Sequence, residues 1–95
     1  MTVPEERLKM VVEILRGFGA RRVLLFGSYA RDPEHARDLD LAVEGIPLNT
    51  VVAADVAAER VLDVPLDLVS MEENPEFFCI VSKERRVLYE EGSPR

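Results

Sequence analysis

Hydrophobic residues recur at two spacings along the chain. Leu8, Val11, Val12 and Leu15 fall three and four residues apart, with Glu6, Lys9, Glu13 and Arg16 between them. That spacing predicts a helix over 3–17 with one buried stripe. Thr2 followed by Glu5 has the pattern of a capping box, Pro4 suits a first helical turn, and Gly17 and Gly19 supply the stop. Val23-Leu24-Leu25-Phe26, after the charged Arg21-Arg22, predicts a buried strand that ends at Gly27-Ser28. Tyr29-Ala30-Arg31 starts a short helix, which Asp32-Pro33-Glu34-His35 break into a loop. From Asp38 to Val43 acidic and apolar residues alternate at first, the period of a strand. Gly45-Ile46-Pro47 make a break, and Asn49 or Thr50 caps a second helix that carries Val52, Val56, Ala58, Val61 and Leu62. Leu66-Asp67-Leu68-Val69 reads as a third strand. Asn74-Pro75 opens a short apolar helix with Phe77, Phe78, Ile80 and Val81. Arg86 to Glu90 reads as an edge strand, and Gly92 to Arg95 as a loose tail.

Helices and strands in alternation place the chain in the α/β (α+β) class, with a small mixed sheet flanked by helices. The link from Phe26 to Asp38 is at or under the dozen or so residues that a parallel crossover needs. The first two strands are therefore expected to run antiparallel, which brings Gly27-Ser28 and Asp38 to one end of the sheet.

The length of 95 residues fits one domain spanning 1–95. A single cysteine, Cys79, leaves no disulfide framework and too few thiols for most structural zinc sites. No apolar stretch is long enough for a membrane span, and the first residues lack the basic start of a secretory signal. A soluble, cytoplasmic protein is expected. Twelve basic against eighteen acidic residues give a net charge of −6. Direct binding to nucleic acid phosphates normally needs the opposite balance. The acidic surplus points instead to a small substrate held with metals, or to a basic protein partner.

The chemistry gathers in Gly27-Ser28, the pair Asp38/Asp40, and Asp67. Residues two apart on a strand project from the same face, so Asp38 and Asp40 present two carboxylates side by side. Mg²⁺ is held by one or two carboxylates together with substrate phosphates, and two such ions can clamp both oxygens of a phosphoryl displacement. Asp67 lies between Leu66 and Leu68, where an unpaired buried charge is costly. A neighbouring strand would set it beside the pair and complete a three-carboxylate site. Gly27 permits close approach of a phosphate, and Ser28 can donate to one. Each feature also has a plain reading: an ordinary turn, a solvated strand face, an aspartate paired with arginine. Those readings weaken together, because one short chain puts all three features at strand ends or on strands that can be neighbours.

With these residues the chain resembles the minimal nucleotidyltransferase (MNT) group of the polymerase-beta-like nucleotidyltransferase superfamily. The resemblance covers roughly residues 8–90. It rests on Leu24-Leu25-Phe26-Gly27-Ser28-Tyr29-Ala30-Arg31, on Asp38-Leu39-Asp40-Leu41-Ala42-Val43 and on Asp67-Leu68-Val69. It implies the nucleotidyltransferase fold, ATP as substrate and two Mg²⁺ ions. Gly27 and Ser28 would then position the nucleotide's phosphates, with a phosphate or structural role for Arg31. Asp38 and Asp40 would ligate both metals, and Asp67 would ligate the catalytic metal and help deprotonate the acceptor hydroxyl. Many members have serine before the first aspartate, where this chain has Arg37. Relatives of this size resemble antitoxins paired with HEPN-domain ribonuclease toxins, some of which transfer AMP to a toxin tyrosine. The expected partner is thus a HEPN-domain toxin in a hetero-oligomer. The alternative is an antitoxin that keeps the motif and neutralises by binding alone. His35 reads as a solvated loop residue, Cys79, Phe77 and Phe78 as core, and Arg21-Arg22 as a solvated strand start.

Overall fold

The structure, a computed structural model, describes residues 3–76 and 85–91. Its first element is a helix, α1 (Glu5–Gly17), which buries Leu8, Val11 and Leu15. Glu5 and Glu6 in its first turn and Arg16 in its last complement the helix dipole. The helix begins later than the expected residue 3, because Pro4 is extended (φ −57°, ψ 144°) and makes no side-chain cap bond. The Pro4 carbonyl instead accepts from the amides of Arg7 (2.9 Å) and Leu8 (3.2 Å). Thr2, the expected cap, lies outside the described residues. At the other end Gly17 is still helical. Gly19, at φ +109°, makes the turn, and the Ala20 amide reaches back to the Leu15 carbonyl at 3.1 Å.

The chain continues through β1 (Arg22–Phe26), α2 (Gly27–Arg31), β2 (Leu39–Glu44), a 3₁₀ turn (Leu48–Thr50), α3 (Val51–Glu59), β3 (Leu66–Ser70) and β4 (Arg85–Glu90). Asp38 thus precedes β2 rather than opening it. The second helix is shorter than expected, ending at Glu59 rather than near Leu62. Thr50 sits at its N-cap, but the hydroxyl donates backwards to the Pro47 carbonyl at 2.9 Å and caps nothing. Residues 71–76 are turn-like, and the expected apolar helix, with Phe77, Phe78 and Cys79, falls on residues outside the described ones.

The four strands form one sheet in the order β3-β2-β1-β4. As the short link demands, β1 runs antiparallel to β2, and β4 lies antiparallel on the other side of β1. The longer connection through α3 allows β2 and β3 to pair in parallel. Alternation along the strands divides the core. Val23, Leu25, Leu39, Leu41, Val43, Leu66 and Leu68 point to the face covered by α1 and α3, where they pack with Leu8, Val11, Leu15, Ala54 and Ala58. A smaller cluster of Leu24, Phe26, Ala42 and Met71, with Val69 against it, occupies the opposite face.

Candidate functional site

The turn after β1 is fixed by a residue without a side chain. Gly27 has φ +75°, the left-handed region that favours glycine. A Cβ built there would run into the Asp40 carboxylate and come within 3.2 Å of its Cγ. The missing side chain therefore serves both the turn and the room around Asp40. Ser28 follows on the first turn of α2 and is exposed. Its carbonyl accepts from the Asp32 amide at 2.8 Å.

Register brings the acids together. Phe26 pairs with Asp40 across β1 and β2, and Asp40 pairs with Asp67 across β2 and β3. Adjacent strands lie about 4.8 Å apart, and paired residues share a face. Asp40 and Asp67 therefore project side by side on the face away from α1 and α3. Asp38 is exposed just ahead of β2. Burial, then the charge of Asp67, then that of Asp38 push the Asp40 carboxyl above the usual carboxylate range. Both other expected aspartates thus act on Asp40 in the folded chain.

No three metal-ligating side chains converge on a ready-made site among the described residues. The donor chemistry nonetheless fits Mg²⁺, which takes carboxylate oxygens from the protein and its remaining ligands from water and phosphate. A cation at this place would also relieve the repulsion that raises the Asp40 pKa.

Arg31 is the last residue of α2, and Arg37 stands exposed one residue before Asp38. His35 is solvated, as expected, with Nδ1 2.7 Å from Asp32 Oδ2. Arg21 and Arg22 sit at the far end of β1, beside Glu72 (3.7 Å) and Glu90 (3.1 Å). The structure adds Asp55 of α3, which sequence reasoning missed. Its carboxyl is raised by burial, by Glu59 and by Asp67, so it belongs to the same acidic neighbourhood. An acid in an otherwise apolar helix was the available signal.

A mixed sheet that carries paired carboxylates beside a Gly-Ser turn defines a nucleotidyltransferase-type domain. No protein-family profile and no curated protein matches the chain. Solved structures do. A candidate minimal nucleotidyltransferase is 32% identical, with 86% of this chain and 89% of that chain covered and a TM-score of 0.73. The chain belongs to the minimal nucleotidyltransferases. Two further structures share the fold. One is a toxin–antitoxin with AMP-PNP (21% identity, 95% of this chain and 76% of that chain, TM-score 0.74). The other is a tri-AMPylated Shewanella oneidensis HEPN toxin in complex with an MNT antitoxin (20% identity, 90% and 71%, TM-score 0.71).

Proposed function

We propose that this chain is an antitoxin of the nucleotidyltransferase type, which transfers AMP from ATP to a tyrosine hydroxyl of a partner HEPN-domain toxin. The observation that carries the reading is the gathering of Asp38, Asp40 and Asp67 beside Gly27-Ser28, with the Asp40 carboxyl pushed up by burial and then by Asp67 and Asp38. The AMP-PNP-bound and AMPylated complexes that share the fold support the choice of nucleotide and partner.

In this reading the exposed Ser28 hydroxyl donates to a phosphate oxygen, and Gly27 leaves room for the phosphates to come close. Arg31, at the end of α2, adds positive charge at the same end of the sheet. Asp38 and Asp40, with Asp67, would hold Mg²⁺, which supplies positive charge against the phosphates when bound. Asp67, on the strand beside Asp40, would take the proton of the incoming hydroxyl. The acceptor oxygen then bonds to the α-phosphorus. The bond from that phosphorus to the oxygen bridging towards the β-phosphorus breaks, and pyrophosphate leaves with the electron pair.

The test is to incubate the chain with a HEPN-domain protein as candidate partner, Mg²⁺ and ATP labelled in the adenylate. Label is expected on the partner with the wild-type chain. It is expected to be absent with Asp38→Ala and with Asp40→Ala, at melting temperatures no lower than wild type. A fully active double variant overturns the assignment. Neutralisation of the partner without any label would favour inhibition by binding alone.

A further inference from the structure

Helix α3 has the composition of a covered helix but not the surroundings of one. Apart from Asp55 and Glu59, all its residues are Val or Ala. Such all-round apolarity marks a helix that is covered on more than one side. The inner side is covered, since Ala54 and Ala58 are fully buried and let the helix lie close to the sheet. The outer side is bare: Val52 is 74% exposed, Val56 47%, and Leu48 on the preceding 3₁₀ turn 53%. Val52 and Val56 are four residues apart and form one ridge.

The ridge has an acidic border on one flank. Asp55 lies three residues from Val52, and Glu59 three from Val56, so both share its side of the helix. The Glu59 carboxylate accepts from the Leu66 amide at 3.0 Å. That bond ties this flank of α3 to the outer edge of β3, one residue before Asp67. Exposed Asp63 lies in the link between the two, and Arg60 stands at the end of α3. A chain seated on the ridge therefore has apolar side chains to bury and carboxylates to pair with.

We propose that the Leu48–Val52–Val56 ridge is the docking surface for the polypeptide that carries the acceptor hydroxyl, and that it takes an apolar segment of that polypeptide flanked by arginine or lysine. The inference rests on the function proposed above and names where its partner binds. Charge complementarity favours a basic partner over a second copy of this acidic chain, for which the Asp55 and Glu59 border would be repulsive.

The test compares the wild-type chain with Val52→Ser/Val56→Ser and with Leu48→Ser, using as the probe the HEPN-domain protein of the transfer assay above. Melting temperature and ATP affinity first establish that the fold and the phosphate turn are intact. Loss of the ridge is expected to raise the KM for the protein acceptor on the order of tenfold, with kcat little changed. An unchanged acceptor KM in both variants overturns the ridge while leaving AMP transfer standing. Ridge-dependent binding without any transfer overturns the transfer and supports the ridge. A wild-type dimer in sedimentation that the double variant dissolves overturns the proposed occupant in favour of a second copy.

Discussion

Asp40 is held in place against its own charge, since burial, Asp67 and Asp38 all raise its pKa. The folded chain therefore retains a proton there at a pH where the unfolded chain has lost it. Between those two pKa values stability falls as pH rises, and above the raised value the full penalty remains. Asp40→Asn removes the penalty. In metal-free buffer at neutral pH it is expected to melt higher than wild type, and the difference should vanish below the ordinary carboxylate range. Calorimetric scans across pH read this directly, and a lower melting point for Asp40→Asn at neutral pH would contradict it. Ser28 behaves differently, because it is exposed on the first turn of α2 and packs into neither core cluster. Ser28→Ala should leave unfolding free energy within about 0.5 kcal/mol of wild type. Its use of ATP should weaken by roughly 1–3 kcal/mol, the range for a hydrogen bond to a charged group. Paired urea titrations and kcat/KM for ATP test this, and a stability loss with unchanged kcat/KM would retire the phosphate role.

At the scale of elements, the five-residue α2 is too short to persist by itself and needs an anchor. Tyr29 supplies it. The ring is buried in the main core, the Val3 amide donates to its hydroxyl at 2.7 Å, and the hydroxyl donates to the Val3 carbonyl at 3.3 Å. Tyr29→Phe keeps the ring and strands a buried backbone donor, so a loss of about 1–2 kcal/mol in urea unfolding is expected. A change below a few tenths would show that the bridge does not hold the turn. Much of this level was legible in the residues. The stripe Leu8-Val11-Leu15, the run Val23 to Phe26 and the short link to Asp38 were enough to orient the first two strands. The Tyr29–Val3 bridge was not legible, because it joins residues 26 positions apart and depends on tertiary packing. Thr50 misled for a related reason: its hydroxyl can serve the helix ahead or the Pro47 carbonyl behind, and local sequence does not choose. Asp55 was hidden because its meaning comes from α3 lying against β3.

The whole molecule carries a net charge of −6, and its candidate site lies among acids. Such a field guides a basic partner from beyond contact distance and is screened by salt. The association rate with that partner is expected to fall by roughly an order of magnitude as ionic strength rises from low to near-molar. Stopped-flow mixing measures it, and a rate indifferent to salt would mean that the charge does not guide the encounter. The division of the sheet into two faces has one more consequence. Along β2, Leu39, Leu41 and Val43 enter the main core while Asp40 points away from it. A slip of one residue in this strand would turn Asp40 into the layer that holds Val11 and Leu15 and would expel the leucines. No metal or nucleotide reaches that layer to offset the charge, so misregistered forms are excluded by the core alone. The chain in effect proofreads its own site: a molecule stable enough to persist already has Asp40 facing out, before any ligand arrives.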